Sequence, residues 1–391
     1  MEVLYLSSLT SDHLFSEFFE KGWSKGYVGQ KYHGMFVKGL EANHVDGKIT
    51  VLSTPPINHI YTKFGEVQGK VCFRYVPLFP VPVFKQVLTF LYSLFYALWW
   101  CLKNVAKKKV VVCSLMRIYQ FLPVLWISSL FRCKTVTVVC DIPWMTINQV
   151  SEGHVTKKQK AIIKLGRKVS SKFDGYVFLT ESMDRVINTK NKPYIVVEGF
   201  CDIDMKSVSN SLNEKEDKNV VIYAGGVNRK YGIKNLVDAV AGLEGVELWI
   251  YGMGDLSPEL EKEHPHNVIL KGPRSNSEVV LAETKAMLLV NPRPTDEEYT
   301  NYSFPSKTLE YMSSGTFTLS TRLGGIPEEY FNHLGIIEDY SSSGIRDTLI
   351  TALAKGREEL HKLGMAAKRF VLDNKNNVKQ GEKIIHFFEE L

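Results

Sequence analysis

Two successive rounds of strand and helix constrain this chain more than any other feature. Apolar runs at 3–6, 71–76, 110–113, 135–140, 175–179 and 194–197 read as strands, with helical patterns between most of them. The alternation restarts at 220–224, 246–251, 268–271, 286–291, 316–320 and 335–337. Alternating strand and helix predicts parallel sheets covered by helices on both faces, with ligands at the carboxyl ends of the strands. A length of 391 residues fits two such domains. We expect a first domain over 1–201, a linker over 202–218, a second domain over 219–375, and a last helix over 376–391 that packs back on the first domain. The linker is rich in Ser, Asn, Asp, Glu and Lys. Its Asp202 and Asp204 have no further metal-ligand partner nearby and read as solvated loop.

No Gly-x-Gly-x-x-Gly follows the first strand, which excludes a nicotinamide dinucleotide site there. A Gly-rich segment, Gly26-Tyr-Val-Gly-Gln-Lys-Tyr-His-Gly, runs into a helix and reads either as a substrate-receiving turn or as a plain loop. Asp141 ends the strand at 135–140 and reads as a site acid or as a loop-start residue. Residues 84–102 are strongly apolar and aromatic, and lysines 103 and 107–109 follow. The uninterrupted part is shorter than the ~20 residues a membrane span needs. It reads as a core crossover helix or as a membrane-surface contact through 84–109. The apolar segment 119–131 reads the same way. The net charge of +6 is mild and does not demand nucleic acid. The six cysteines form no Cys-x-x-Cys pair and read as reduced thiols of a cytoplasmic protein. No basic, apolar and cleavable leader is seen at the start, so secretion is not expected.

The most informative stretch is 301–320, Asn-Tyr-Ser-Phe-Pro-Ser-Lys-Thr-Leu-Glu-Tyr-Met-Ser-Ser-Gly-Thr-Phe-Thr-Leu-Ser. It predicts a loop, a helix with Ser303 as N-cap and Pro305 at its first position, a left-handed stop at Gly315, and a strand. The free N–H groups of Ser306 and Lys307 and the positive end of the dipole make an anion site. Glu310 shares a face with Lys307 and lies where sugar hydroxyls would find an acceptor. A phosphate beside a ribose fits this pair; so does an ordinary capped helix with a surface Lys–Glu pair.

Six motifs then occur in order: Tyr223-Ala-Gly-Gly-Val, Tyr231-Gly-Ile-Lys-Asn-Leu, Tyr251-Gly-Met-Gly-Asp, Asn291-Pro-Arg-Pro-Thr-Asp-Glu-Glu, Ser303-Phe-Pro-Ser-Lys-Thr-Leu-Glu-Tyr-Met-Ser-Ser-Gly-Thr and Gly325-Ile-Pro-Glu-Glu-Tyr. Together they resemble the family-4 retaining glycosyltransferases of the GT-B fold, of the bacterial capsule, exopolysaccharide and O-antigen type. The resemblance implies an α/β protein with two Rossmann-like, doubly wound domains facing across a cleft. It also implies a retaining, metal-independent glycosyltransferase (a hexosyltransferase) that needs no cofactor and takes a nucleotide-sugar as substrate, UDP-sugar favoured over GDP- or dTDP-sugar. The acceptor it implies is a saccharide or a polyprenyl-diphosphate-linked glycan. We expect a cytoplasmic location, with a peripheral place on the cytoplasmic face of the inner membrane as an alternative.

By the same resemblance Glu310 binds the ribose, and Ser306, Lys307, Arg229 and Lys230 meet the diphosphate. Arg274 lies near the base, and Gly226 and Gly254 allow close approach of the donor. Glu298, Asn301, Tyr302 and Ser303 lie on the sugar side of the donor site. Asp141, Lys307 and Arg229 are the catalytic candidates, and Gly29, Gln30 and His33 lie on the acceptor side. Two departures stand out. Tyr302 and Ser303-Phe-Pro occupy positions where the family usually has Glu and Gly-Phe-Gly, and Val227 and Tyr231 stand where it usually has basic residues. A nucleotide-sugar epimerase or hydrolase, and a non-catalytic sugar-nucleotide-binding partner, are the alternative readings.

Overall fold

The computed structural model describes residues 1–24, 28–43, 47–145 and 156–391, in two units. The first comprises Met1–Phe200 and Asn377–Leu391, the second Cys201–Asn376.

The first unit runs β1 (Glu2–Ser7), α1 (Asp12–Glu20), α2 (Val28–Asn43), β2 (Ile49–Ser53), β3 (Gly65–Gln68) and β4 (Val71–Tyr75). It continues through α3 (Phe84–Lys103), β5 (Lys109–Ser114), α4 (Ile118–Leu130), β6 (Lys134–Val139), α5 (Lys157–Ser170), β7 (Gly175–Phe178), α6 (Ser182–Ile187) and β8 (Tyr194–Val196). The sheet order is β3-β4-β2-β1-β5-β6-β7-β8, parallel except for the β3–β4 pair. β1 and β5 are buried along their whole length, so their side chains do not alternate in polarity. Two strands escaped the sequence reading. β2 is a five-residue buried run, and β3 is an edge strand without apolar alternation whose pairing with β4 makes it a strand.

The second unit runs β9 (Asn219–Ala224), α7 (Ile233–Val240), β10 (Val246–Tyr251), α8 (Ser257–Lys262), β11 (Val268–Gly272) and α9 (Asn276–Lys285). It ends with β12 (Leu288–Asn291), α10 (Ser306–Ser314), β13 (Thr318–Thr321), β14 (Gly335–Ile337), α11 (Ser342–Leu353) and α12 (Arg357–Asn374). Its sheet is parallel with order β11-β10-β9-β12-β13-β14. Chain direction across the sheet reverses between β9 and β12, which makes that gap the topological switch point. α9 begins with a reciprocal capping box: the Ser275 hydroxyl accepts from the Glu278 N–H, and the Glu278 carboxylate accepts from the Ser275 N–H.

Residues 202–218 are stitched to the second unit. Asn210 donates to the Ser314 carbonyl at 2.9 Å and Lys368 to the Val208 carbonyl at 2.6 Å. Arg357 donates to the Glu216 carbonyl at 2.9 Å. The buried Lys215 ammonium donates to the Ala286 carbonyl and the Thr316 hydroxyl, both at 2.8 Å.

The last helix, α13 (Asn377–Glu390), completes the first unit by packing on α2. Ile384, Phe387 and Phe388 enter the core that holds Val3, Tyr5 and Phe36. Burying each such side chain contributes roughly 1.5–3 kcal/mol. The two helices touch backbone to backbone, because a side chain at Gly381 would collide with the Gly39 carbonyl. Asn43 reinforces the crossing by donating to the Val378 carbonyl at 2.7 Å.

Two outcomes follow from these contacts. Gly381→Val forces the helices apart and should cost about 1–3 kcal/mol in thermal unfolding. Gly166→Ala, where nothing lies within 4 Å of the added carbon, should cost nothing. Burial, with Arg357 adding to it, pushes the Lys215 ammonium down to about 7. The unfolded chain holds this proton up to its ordinary, higher pKa, so folding releases a proton between the two values. Stability should therefore rise with pH from about 7 to about 10, by at most ~1.4 kcal/mol per pH unit from this group. Denaturant titrations at pH 7 and 9 check it, and Lys215→Met should remove the Lys215 share of that rise.

Candidate functional site

The carboxyl edge of the second sheet collects most of the residues singled out in the sequence. β9 leads into 225–228, β10 into 252–255, β12 into 292–305 and β13 into 322–325. These loops interlock through their backbones. The Gly225 N–H donates to the Tyr251 carbonyl at 2.9 Å, and the Val227 N–H to the Met253 carbonyl at 3.1 Å. The Asn228 side-chain oxygen accepts from the Asp255 N–H, and the Asp255 carboxylate accepts from the Arg229 N–H, both at 3.0 Å. Gly252 has φ +122°, and any side chain there would strike the Gly225 carbonyl. Gly232, at φ +75°, likewise lies against the Pro292 carbonyl and ties the β9 loop to the β12 loop.

α10 rises from this edge and ends at Gly315, which is left-handed at φ +85°. Its start differs from the sequence expectation. Pro305 precedes the helix, with ψ at 99°, and Ser303 lies in extended backbone. Gly325 packs against the Ser303 carbonyl and Phe304 is buried, which keeps this segment in the loop. Ser306 is therefore the first helical residue, and no side chain caps the helix. The N–H groups of the first turn have no partner inside the helix, and the positive dipole end is uncapped by protein.

Lys307 donates to the Glu310 carboxylate at 2.8 Å. Burial works against its charge, but Glu310 outweighs that, and the net effect raises the Lys307 pKa. The ammonium is held protonated beside the helix start. Tyr311, on the buried side of the same helix, reaches the switch point. Its hydroxyl accepts from the Ala224 N–H at 2.7 Å and donates to the Ala224 carbonyl at 3.1 Å. The last residue of β9 is thus fastened to α10.

The remaining candidates spread along this edge. Gly226 and Gly254 sit in the interlocked loops, where a side chain would meet Asn228 in both cases. The Arg229 guanidinium pairs with Glu259 at the surface. The Lys230 ammonium lies over the Tyr231 ring at 5.2 Å. Arg274 is exposed and donates to the Lys271 carbonyl at 3.1 Å. Glu298, Asn301 and Tyr302 form a short 3-10 turn, and the Asn301 side chain lies against Gly324.

Sequence reasoning missed Arg293. Its guanidinium lies over the Tyr231 ring at 4.6 Å, and its Nε is buried without a hydrogen-bond partner. Among the described residues no carboxylate pairs with it. A guanidinium at the switch point without an anionic partner suits an anionic ligand. The signal available was the Asn291-Pro-Arg motif at the end of a buried strand.

In the first unit, Gln30 and His33 are buried. The Gln30 amide donates to the Thr10 carbonyl at 2.7 Å and accepts from the Thr10 N–H at 3.1 Å, which clamps the turn after β1. The His33 ring bonds the Tyr5 hydroxyl at 2.5 Å, and burial pushes its pKa down to about 3, so the ring is neutral. Both side chains hold α2 to the sheet, with Gly29 beside them. Gly26 and Tyr27, part of the Gly-rich segment read from sequence, lie outside the described residues. Asp141 follows β6 as an exposed residue whose carboxyl is partly desolvated by the surrounding protein, which raises its pKa. Among the described residues no cluster of three His, Cys, Asp or Glu side chains is arranged to hold a metal. The cysteines are free thiols, and Cys101 and Cys133 lie 3.6 Å apart.

This architecture is the GT-B fold. Over the full length of both chains it resembles HepE of Anabaena in complex with UDP, at 13% identity and TM-score 0.62. The same protein in complex with UDP-glucose matches at 12% and 0.60, again over both whole chains. Sucrose-phosphate synthase of Thermosynechococcus elongatus matches at 14% and 0.69, also over both whole chains. Residues 218–354, the body of the second unit, match the family described as Glycosyl transferases group 1. No curated protein matches in sequence. The matched domain and the fold support a transferase enzyme of the GT-B glycosyltransferase class.

Tyr311→Phe tests how far the site depends on its fastening. Losing both bonds to Ala224 should lower stability by about 1–3 kcal/mol in chemical unfolding while the secondary structure by circular dichroism stays unchanged.

Proposed function

We propose that this protein transfers a sugar, with retention at the anomeric carbon, from a UDP-sugar to a saccharide or lipid-linked saccharide acceptor in surface polysaccharide synthesis. The observation that carries the reading is the uncapped start of α10. Ser306 and Lys307 N–H groups, the Lys307 ammonium and the Glu310 carboxylate meet there beside the switch point. A diphosphate on the helix start and a ribose on Glu310 satisfy both charges. The HepE structures with UDP and UDP-glucose support the choice of base and donor class.

The chemistry follows from where charge develops. The bond between the anomeric carbon and the diphosphate oxygen breaks, and its electron pair stays on the diphosphate. The α10 N-terminus, Lys307 and Arg293 stabilise that charge, with Arg229 and Lys230 on the neighbouring loop. Preorganised donors of this kind are worth roughly 3 kcal/mol each. The acceptor oxygen bonds to the anomeric carbon from the face the diphosphate leaves, and its proton passes to the departing phosphate oxygen. No base is required by this route, and Asp141 serves to position the acceptor or the sugar.

Titration calorimetry with UDP tests the donor assignment. Glu310→Ala should weaken UDP binding about tenfold or more, with the melting temperature of the free protein little changed. Equal affinity in the two proteins removes the ribose from Glu310. The stereochemistry of a transferred sugar, read by NMR of the product, tests retention.

A further inference from the structure

α3 has its polarity reversed. Its protein-facing stripe is Thr89, Ser93 and Ala97, at spacings of four, followed by Trp100 and Cys101. Its solvent-facing stripe is Phe84, Val87, Leu91, Phe95, Trp99 and Leu102, with Phe95 64% and Trp99 49% exposed. A soluble helix presents the opposite arrangement. The small inward residues let α3 lie close on α4, its main neighbour. α4 adds Trp126 and Leu130 to the exposed apolar side, and the Trp126 ring meets Phe90 at 5.6 Å.

Charge distinguishes among the possible coverings. From residue 67 to residue 140 the chain contains no Asp or Glu, yet carries 10 Lys and Arg. The whole chain carries only +6, so the rest sums to −4. The Lys103 ammonium stands over the Trp99 ring at 5.0 Å, at the end of the apolar stripe. Lys108 is exposed nearby in sequence. Lys107 is paired with Glu2 at 2.7 Å and Lys109 is buried, but Lys103 at the end of the stripe has no carboxylate partner among the described residues. A basic margin on an aromatic and aliphatic face repels a second copy of itself and attracts an anionic surface. Among the described residues no helix is long and apolar enough to cross a membrane.

We propose that the α3–α4 face lies in the headgroup region of an anionic lipid bilayer, parallel to its surface. α3, about 30 Å long at 20 residues, lays Phe84, Leu91, Phe95 and Trp99 among the upper acyl chains. Lys103 and its neighbours meet the lipid phosphates. Tryptophan belongs at that depth because its ring is apolar and its N–H stays wet. The proposal does not rest on the donor site, and UDP binding is measured separately.

The test is flotation of the whole protein with vesicles. Binding is expected to vesicles of phosphatidylcholine with phosphatidylglycerol at low salt, and not to phosphatidylcholine alone. The Phe95→Ser/Trp99→Ser variant should lose about tenfold or more of that binding, with unchanged UDP affinity and melting temperature. Lys103→Glu, which leaves the apolar stripe intact, should weaken binding and flatten its salt dependence. Absence of binding to the anionic vesicles at low salt overturns the proposal. So does binding that the double substitution leaves unchanged. A concentration-dependent dimer, broken by the same double substitution and indifferent to vesicles, would assign the face to a second copy instead.

Discussion

The hydroxyl of Tyr311 holds the site together. A strand end at a switch point has backbone groups without neighbours on one side, and each left unpaired costs about 1–3 kcal/mol when buried. Tyr311 answers both groups of Ala224 with one oxygen. The helix that carries Lys307 and Glu310 is thereby set against the end of β9. Ser306, at the start of that helix, is exposed, while Tyr311, in its second turn, is fully buried. Phe304 and Leu309 anchor the same helix in a second cluster with Tyr330.

Much of this was legible in the chain. Both sheets follow from the alternation of apolar strands with helices, and the stop at Gly315 from its residue type. The short apolar run of β2 was simply passed over, but two other misses share one cause. β3 is a strand through its partner β4, and Pro305 stays outside α10 through packing of Phe304 and the Gly325 approach. Those are tertiary effects that no local pattern records. Arg293 was quoted in a motif without a role, because its packing over the Tyr231 ring of another loop is not recorded in the local sequence. Gln30 and His33 show the converse: a Gly-rich approach to a helix suggested an open surface, and the folded chain uses both side chains inside.

The two units use their polar groups differently. In the second, charged and polar side chains converge on one sheet edge, and backbone interlocks keep the loops in place. In the first, the corresponding edge is braced by internal bonds of Gln30, Thr10, His33 and Tyr5, while the outlying α3–α4 layer turns apolar side chains outward. Composition averaged over the chain hides this, since a modest net charge is the sum of an acid-free segment and a mildly acidic remainder.

The return of α13 to the first unit sets an order of events during synthesis. The sheet of that unit is complete in sequence by residue 196, but Phe36 and Val3 acquire their last neighbours only when 384–388 emerge. The second unit, contiguous from 201 to 376, leaves the ribosome whole before then. The part of the chain made first is therefore the part that finishes folding last. Until residues 384–388 emerge, the face of α2 that α13 covers in the folded chain lacks that helix.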